Sequence, residues 1–308
     1  MKIALLASLP LALVTPRIAD ACSAPSCWGG AFVPGDQGHV PANVGALIWR
    51  PMVPNGTAPD VANVVLTKAT NTTPLPFTST KLDNGDYLIV PDAPLAAGSS
   101  YVLADHNTCD LGRTGPSVTF TATDDAPLPA QLGSIDVVQG GNAPLAVGTA
   151  SGSCYADVIA DQVKLALVPS ADAQPWMDAL QFETIVDGRR WLAIGNINDT
   201  IAPGATWQGR GRDLVYAVCK TPDASIDRGL APGEHTIEFH ATLPGTAITW
   251  TTEPVTIYLY CGPDSGVSGH DAGVGCSTSD GGSPWLVLGA LLMISVGRSA
   301  SSARSRRG

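Results

Sequence analysis

Pro91-Asp92-Ala93-Pro94-Leu95-Ala96-Ala97-Gly98-Ser99-Ser100-Tyr101-Val102-Leu103 decides how the chain is read. Pro91, Pro94 and Gly98 break the backbone, and the segment after them places Tyr101 and Leu103 two residues apart. Breakers followed by a period of two describe a turn that feeds a β-strand with one buried face. The same grammar recurs on either side. Val44 to Trp49, Ala62 to Thr67, Asp86 to Val90 and Ser117 to Thr121 all read as strands, with Ser99 to Ala104 between them. Asp83-Asn84-Gly85-Asp86 is a hairpin turn, since Asn and Gly tolerate positive φ. Short strands at roughly 10–15-residue spacing, with no amphipathic helix among them, predict a β-sandwich.

Farther along, Asp124-Asp125-Ala126-Pro127-Leu128-Pro129 reads as a short, stiff, polar linker. Strands are expected again at Ser134 to Val138, Val163 to Val168, Gln181 to Val186, Arg190 to Ile194, Asp213 to Cys219, His235 to Ala241 and Val255 to Tyr260. Asp187-Gly188 forms a second hairpin turn, Ala231-Pro232-Gly233 precedes a strand, and Pro175 to Leu180 reads as one helical turn on a loop. The expected fold class is all-β, with two tandem Ig-like sandwiches. They occupy residues 22–124 and 133–261, and residues 125–132 link them.

Pro41-Ala42-Asn43, the turn-and-strand segment at Pro91 to Leu103, and Val118-Thr119-Phe120-Thr121-Ala122 together resemble bacterial Ig-like domains of surface proteins. Such domains place a proline-leucine-x-x-glycine turn before a tyrosine-containing strand and end in a phenylalanine-threonine strand. The resemblance implies a fold and no particular activity.

Both termini read as delivery signals. Lys2, the apolar stretch Ile3 to Val14 and Ala19-Asp20-Ala21 make a signal peptide over residues 1–21, with cleavage between Ala21 and Cys22. At the other end, residues 262–283 read as a flexible stalk of Gly, Ser, Asp and Val. Residues 284–308 follow, with an apolar run from Pro284 to Val296 and then Arg298, Arg304, Arg306 and Arg307. As a helix that run covers about 20 Å, against a hydrocarbon core of about 30 Å. The alternatives are a stunted membrane helix and a transient stop that is cut away. The tail is similar to the MYXO-CTERM sorting signal of myxobacterial surface proteins. That resemblance rests on Gly275-Cys276, a spacer, a short hydrophobic segment and an arginine group, here spread from Ser299 to Ser305 and beyond. It implies that Cys276 is the processing and lipid-anchoring residue.

Lys2, Arg17, Arg298, Arg304, Arg306 and Arg307 lie outside residues 22–275, as do Asp20 and Asp280, so that span keeps 25 acidic and 11 basic side chains and a net charge of −14. Such a surface repels nucleic acid and anionic membranes. The span also holds Cys22, Cys27, Cys109, Cys154, Cys219 and Cys261. An even set in an exported chain points to disulfides, and no close C-x-x-C pair with companion histidines points to zinc. Cys154–Cys219 and Cys27–Cys109 are the pairings expected.

The remaining residues offer little chemistry. Glu238 and His240 share a strand face and provide two metal donors without a third, so a solvated face is expected. Asp157 and Asp161 lack a calcium-loop register. No G-x-S-x-G elbow occurs in the mature region and no phosphate-binding glycine loop is found. The binding-site candidate is the loop carrying Trp207, Arg210 and Arg212. No cofactor is expected. The sequence reads as a non-enzymatic protein anchored at the cell surface or outer membrane, serving adhesion, recognition or envelope structure. Its expected partners are a protein or glycan at that surface, and the membrane through its C-terminal anchor. The alternative is a glycan- or partner-binding accessory module, which should expose Trp207 or Trp176 in a groove.

Overall fold

The computed structural model describes residues 30–51, 59–108, 114–148, 155–191, 210–220, 229–262 and 274–275. The signal peptide with Ala21 and Cys22, Cys27, Cys109, Cys154, Trp207, Cys276 and the sorting tail lie outside the described residues. The described chain is all β apart from two single-turn 3-10 segments, Val61–Asn63 and Gln174–Trp176.

The first half forms two facing sheets. One runs β1 (Ala31–Val33), β3 (Leu47–Arg50), β7 (Tyr87–Pro91) and β6 (Phe77–Lys81). The other runs β2 (Gly38–Pro41), β9 (Ser117–Thr123), β8 (Ser100–Asp105), β4 (Val64–Lys68) and β5 (Asn71–Pro74). All pairs are antiparallel except β2 with β9. The period of two is visible in the burial. Tyr101 and Leu103 on β8, and Val118, Phe120 and Ala122 on β9, turn inward to meet Leu47, Trp49 and Ile89. Each large side chain so buried contributes about 1.5–3 kcal/mol.

The decisive turn closes on its own strand. The Tyr101 hydroxyl accepts the Ala96 N–H at 2.7 Å, its ring stacks on Phe120 with centroids 5.6 Å apart, and Leu95 is buried beneath the turn. Gly98 stands at φ 72°, a left-handed conformation that side chains with a Cβ resist.

The second half also forms two sheets. β10 (Gly133–Gly148), β11 (Tyr155–Pro169) and β14 (Arg212–Lys220) make one, and β18 (Val274–Gly275) adds to β11. The other is β13 (Arg189–Arg190), β12 (Gln181–Val186), β15 (Gly233–Thr242) and β16 (Thr249–Thr251), with β17 (Val255–Leu259) also paired to β15. Val163, Leu165, Val215, Ile237, Phe239, Ile257 and Leu259 fill the space between them.

The other expected strands form, but of Arg190 to Ile194 only Arg190 falls in a strand and residues 192–194 lie outside the described residues. β10 and β11 are far longer than Ser134 to Val138 and Val163 to Val168. A bulge between Gln139 and Gly141 shifts the register, and beyond it Ala143, Leu145 and Val147 alternate with the exposed Asn142, Pro144 and Ala146. The sequence gives no sign of the short strands β1, β2, β5, β6, β16 and β18; every residue of β5 is exposed, so no period marks it. β18 lies within residues 262–283, expected as a flexible stalk, and there Val274 and Gly275 instead pair with Ala156 and Tyr155.

Cys219 is bonded to Cys261, not to Cys154. The bridge ties β14 to the segment that leaves β17, joining the two sheets of the second sandwich. The expected Cys154–Cys219 pairing rested on both residues lying in one half, whereas the fold brings the chain after β17 back to β14.

Candidate functional site

The segment between the sandwiches is held from both sides. Asn43 donates from its side-chain amide to the Ala126 carbonyl at 2.9 Å, and its side-chain oxygen accepts the Ala126 N–H at 3.1 Å. Trp176 Nε1 donates to the Pro127 carbonyl and Trp250 Nε1 to the Pro129 carbonyl, each at 2.8 Å. Ala126 and Leu132 are buried in a cluster of apolar residues that reaches from Phe32 to Leu259.

Beside this seam lies a cleft of about 160 Å³, lined by Phe32, Arg50, Asn84, Phe182, Arg190 and Arg210 among others. All three arginines are engaged. Arg50 meets Asp86 through two bonds, Nε to Oδ1 at 2.9 Å and Nη2 to Oδ2 at 3.0 Å. Asn84 also donates to Asp86 Oδ2 at 3.1 Å and accepts the Asp86 N–H at 3.0 Å. Arg190 faces Glu183 at 3.3 Å, with both side chains well exposed. Arg210 pairs with Asp178, whose other oxygen accepts the His39 N–H at 2.6 Å. A ligand entering here therefore meets guanidinium groups already neutralised by carboxylates of their own half, and the bond from the His39 N–H to Asp178 crosses between the halves.

Of the candidate binding loop, Arg210 is thus a seam residue. Arg212 is exposed at the start of β14, and Trp207 is outside the described residues. Trp176 is buried at 1 % exposure, which removes it as a groove-lining aromatic.

The buried carboxylates are likewise committed. Asp105 accepts Trp49 Nε1 at 3.0 Å and the Asn107 N–H and side-chain amide at 2.8 and 2.7 Å. Gly115 packs against it, and a Cβ there would collide with the carboxyl group. Asp213 accepts Thr184 Oγ1 at 2.5 Å across the sheets. Asp161 accepts the Tyr260 N–H at 2.5 Å, whereas Asp157 is exposed, so the two do not form a shared ligand set.

Glu238 and His240 meet each other at 3.1 Å, and among the described residues no three His, Cys, Asp or Glu side chains converge as a metal set. His235, in contrast, turns inward at 8 % exposure. Its Nδ1 lies 2.7 Å from Asp187 Oδ2 and its Nε2 lies 2.7 Å from the Ala231 carbonyl. Both neighbours are acceptors, an arrangement that favours a proton on each ring nitrogen. Burial opposes the charge most. The Asp187 hydrogen bond, the Ala231 carbonyl and the Asp187 charge together outweigh it and raise the pKa above 6.5. The bond from His235, then the Thr236 N–H, lower the Asp187 pKa. Asp187 sits at φ 51° and Gly188 at φ 73°, the hairpin turn expected at this dipeptide.

No family model matches the chain, and no curated protein matches it. Among solved structures, the N-terminal part of the bacterial S-layer protein SbsC is similar over 75 % of this chain and 44 % of its own, at 13 % identity and a TM-score of 0.23. The chain therefore spans less than half the length of that structure. The D00-D0 domain of Intimin is similar over 74 % of this chain and 98 % of its own, at 11 % identity and a TM-score of 0.19.

Proposed function

We propose that this is an exported, non-enzymatic protein anchored at the cell surface through Cys276, where two Ig-like sandwiches serve adhesion, recognition or support of the envelope. The observation that carries the reading is the Cys219–Cys261 bridge. Such bonds persist in oxidising compartments, which agrees with a cleavable signal ahead of Cys22 and a sorting tail after Gly275. The clamped linker supports a scaffold role, because it joins the two sandwiches into one compact unit. The buried carboxylates and the cleft arginines are bonded within the fold, which supports a role outside catalysis. The acidic surface favours a protein or glycan partner over nucleic acid.

Intact-mass and peptide mapping of the protein from the native membrane fraction tests this. The expected chain begins at Cys22 and ends at or near Cys276, with lipid on that residue and Cys219 joined to Cys261. A cytosolic chain with reduced thiols, or one that still ends at Gly308, overturns the proposal.

A further inference from the structure

Among the side chains whose burial is described, the exposed aromatics are Tyr258 and Tyr260, each 56 % exposed. The two rings lie on the same side of β17 and its exit. Their centroids are 6.5 Å apart and their planes 30° from parallel. Ile257 and Leu259 point the other way, into the core.

The neighbours of this pair are polar. In the ladder with β15, Glu234 stands opposite Tyr258 and Thr236 opposite Thr256, and all three of Glu234, Thr236 and Thr256 are exposed. One sheet face therefore carries two aligned rings edged by a carboxylate and two hydroxyls.

The pair is also held in place. The Tyr260 N–H is bonded to Asp161, and the next residue, Cys261, is covalently tied to β14. A ligand that stacks on these rings orders little chain, and tyrosines lose few rotamers.

We propose that this face binds a neutral carbohydrate chain, with Tyr258 and Tyr260 as the stacking platform and Glu234, Thr236 and Thr256 as hydrogen-bonding partners for sugar hydroxyls. The C–H face of a pyranose ring is apolar and flat enough to lie on an aromatic ring, while its rim needs donors and acceptors. This face supplies both. Charge selects among the ligands that stack. Glu234 beside the platform, on a span of net charge −14, repels nucleic-acid phosphates and uronate polymers and leaves uncharged sugars. The proposal goes beyond the surface role above, since it does not require the anchor.

The test is native affinity electrophoresis of the full chain in mild detergent. The gels contain hydroxyethylcellulose, galactomannan or polygalacturonate, and sedimentation of the same samples reports assembly. The expected result is retardation by at least one neutral polymer and none by polygalacturonate. Changing both rings, Tyr258→Ala with Tyr260→Ala, weakens that retardation by about tenfold or more at an unchanged melting temperature. Tyr258→Phe with Tyr260→Phe keeps most of it, because stacking uses the ring and not its hydroxyl. The proposal fails if neither neutral polymer retards the protein or if polygalacturonate does so as strongly. It also fails if the double alanine variant is retarded as strongly as the parent, if the double phenylalanine variant loses as much retardation as the alanine one, or if the tyrosines prove to join two copies of the chain.

Discussion

His235 shows how one side chain can set the pH response of the whole. Its two acceptors favour the doubly protonated ring, so its pKa is higher folded than unfolded. The stability it contributes is therefore complete below about pH 6.5 and is lost as pH rises through the folded value. Asp187 has the opposite sense. Its pKa is lowered on folding, so its contribution holds above about pH 3.8 and fades as pH falls through the lowered value. The pair is worth most between these limits. Thermal unfolding of His235→Gln should show a loss of about 1 kcal/mol at pH 5.5, a modest figure because Asp187 is half exposed. At pH 8.5 the loss should be smaller. An equal or greater loss at the higher pH would mean that the ring is neutral in the fold.

At the level of elements, strands were legible where one face is buried and the other wet. β8 and β9 alternate along their whole length, and the turn that feeds β8 carries Gly98 where φ is positive. β2 was not legible, because Gly38-His39-Val40-Pro41 has no period and its partner, β9, lies far along the chain in parallel register. The seam was equally hidden. His39 and Asp178 are 139 residues apart, and spacing carries no sign of such a contact. The side of β15 that His235 faces was readable from its alignment with Ile237 and Phe239, but its bond to Asp187 depended on how the β12–β13 turn meets β15. The linker reads as polar and stiff, while its fixation comes from Asn43, Trp176 and Trp250 in distant segments. Asn43→Ala leaves the Ala126 N–H and carbonyl without these bonds and should cost about 2 kcal/mol in denaturant unfolding. Proteolysis within residues 124–132 should rise with it. Unchanged stability would show that the tryptophans alone hold the linker.

The described residues form two sandwiches by strand pairing, yet one apolar cluster spans both, from Phe32 through Leu132 to Leu259, beside a small second cluster of Val147, Val158, Ala160 and Tyr216. Scanning calorimetry should give a single transition with equal calorimetric and van't Hoff enthalpies. Two separated transitions would show that the shared interior does not couple the halves. The sulfur bridge has a mechanical consequence. A pull applied at Gly262 enters at Cys261 and crosses directly to Cys219 on β14, bypassing the chain between these residues, which stand 42 apart in sequence. β15, β16 and β17 lie inside that closed loop and carry none of the tension, so a tethered molecule under shear would keep this layer folded while the load ran through β14.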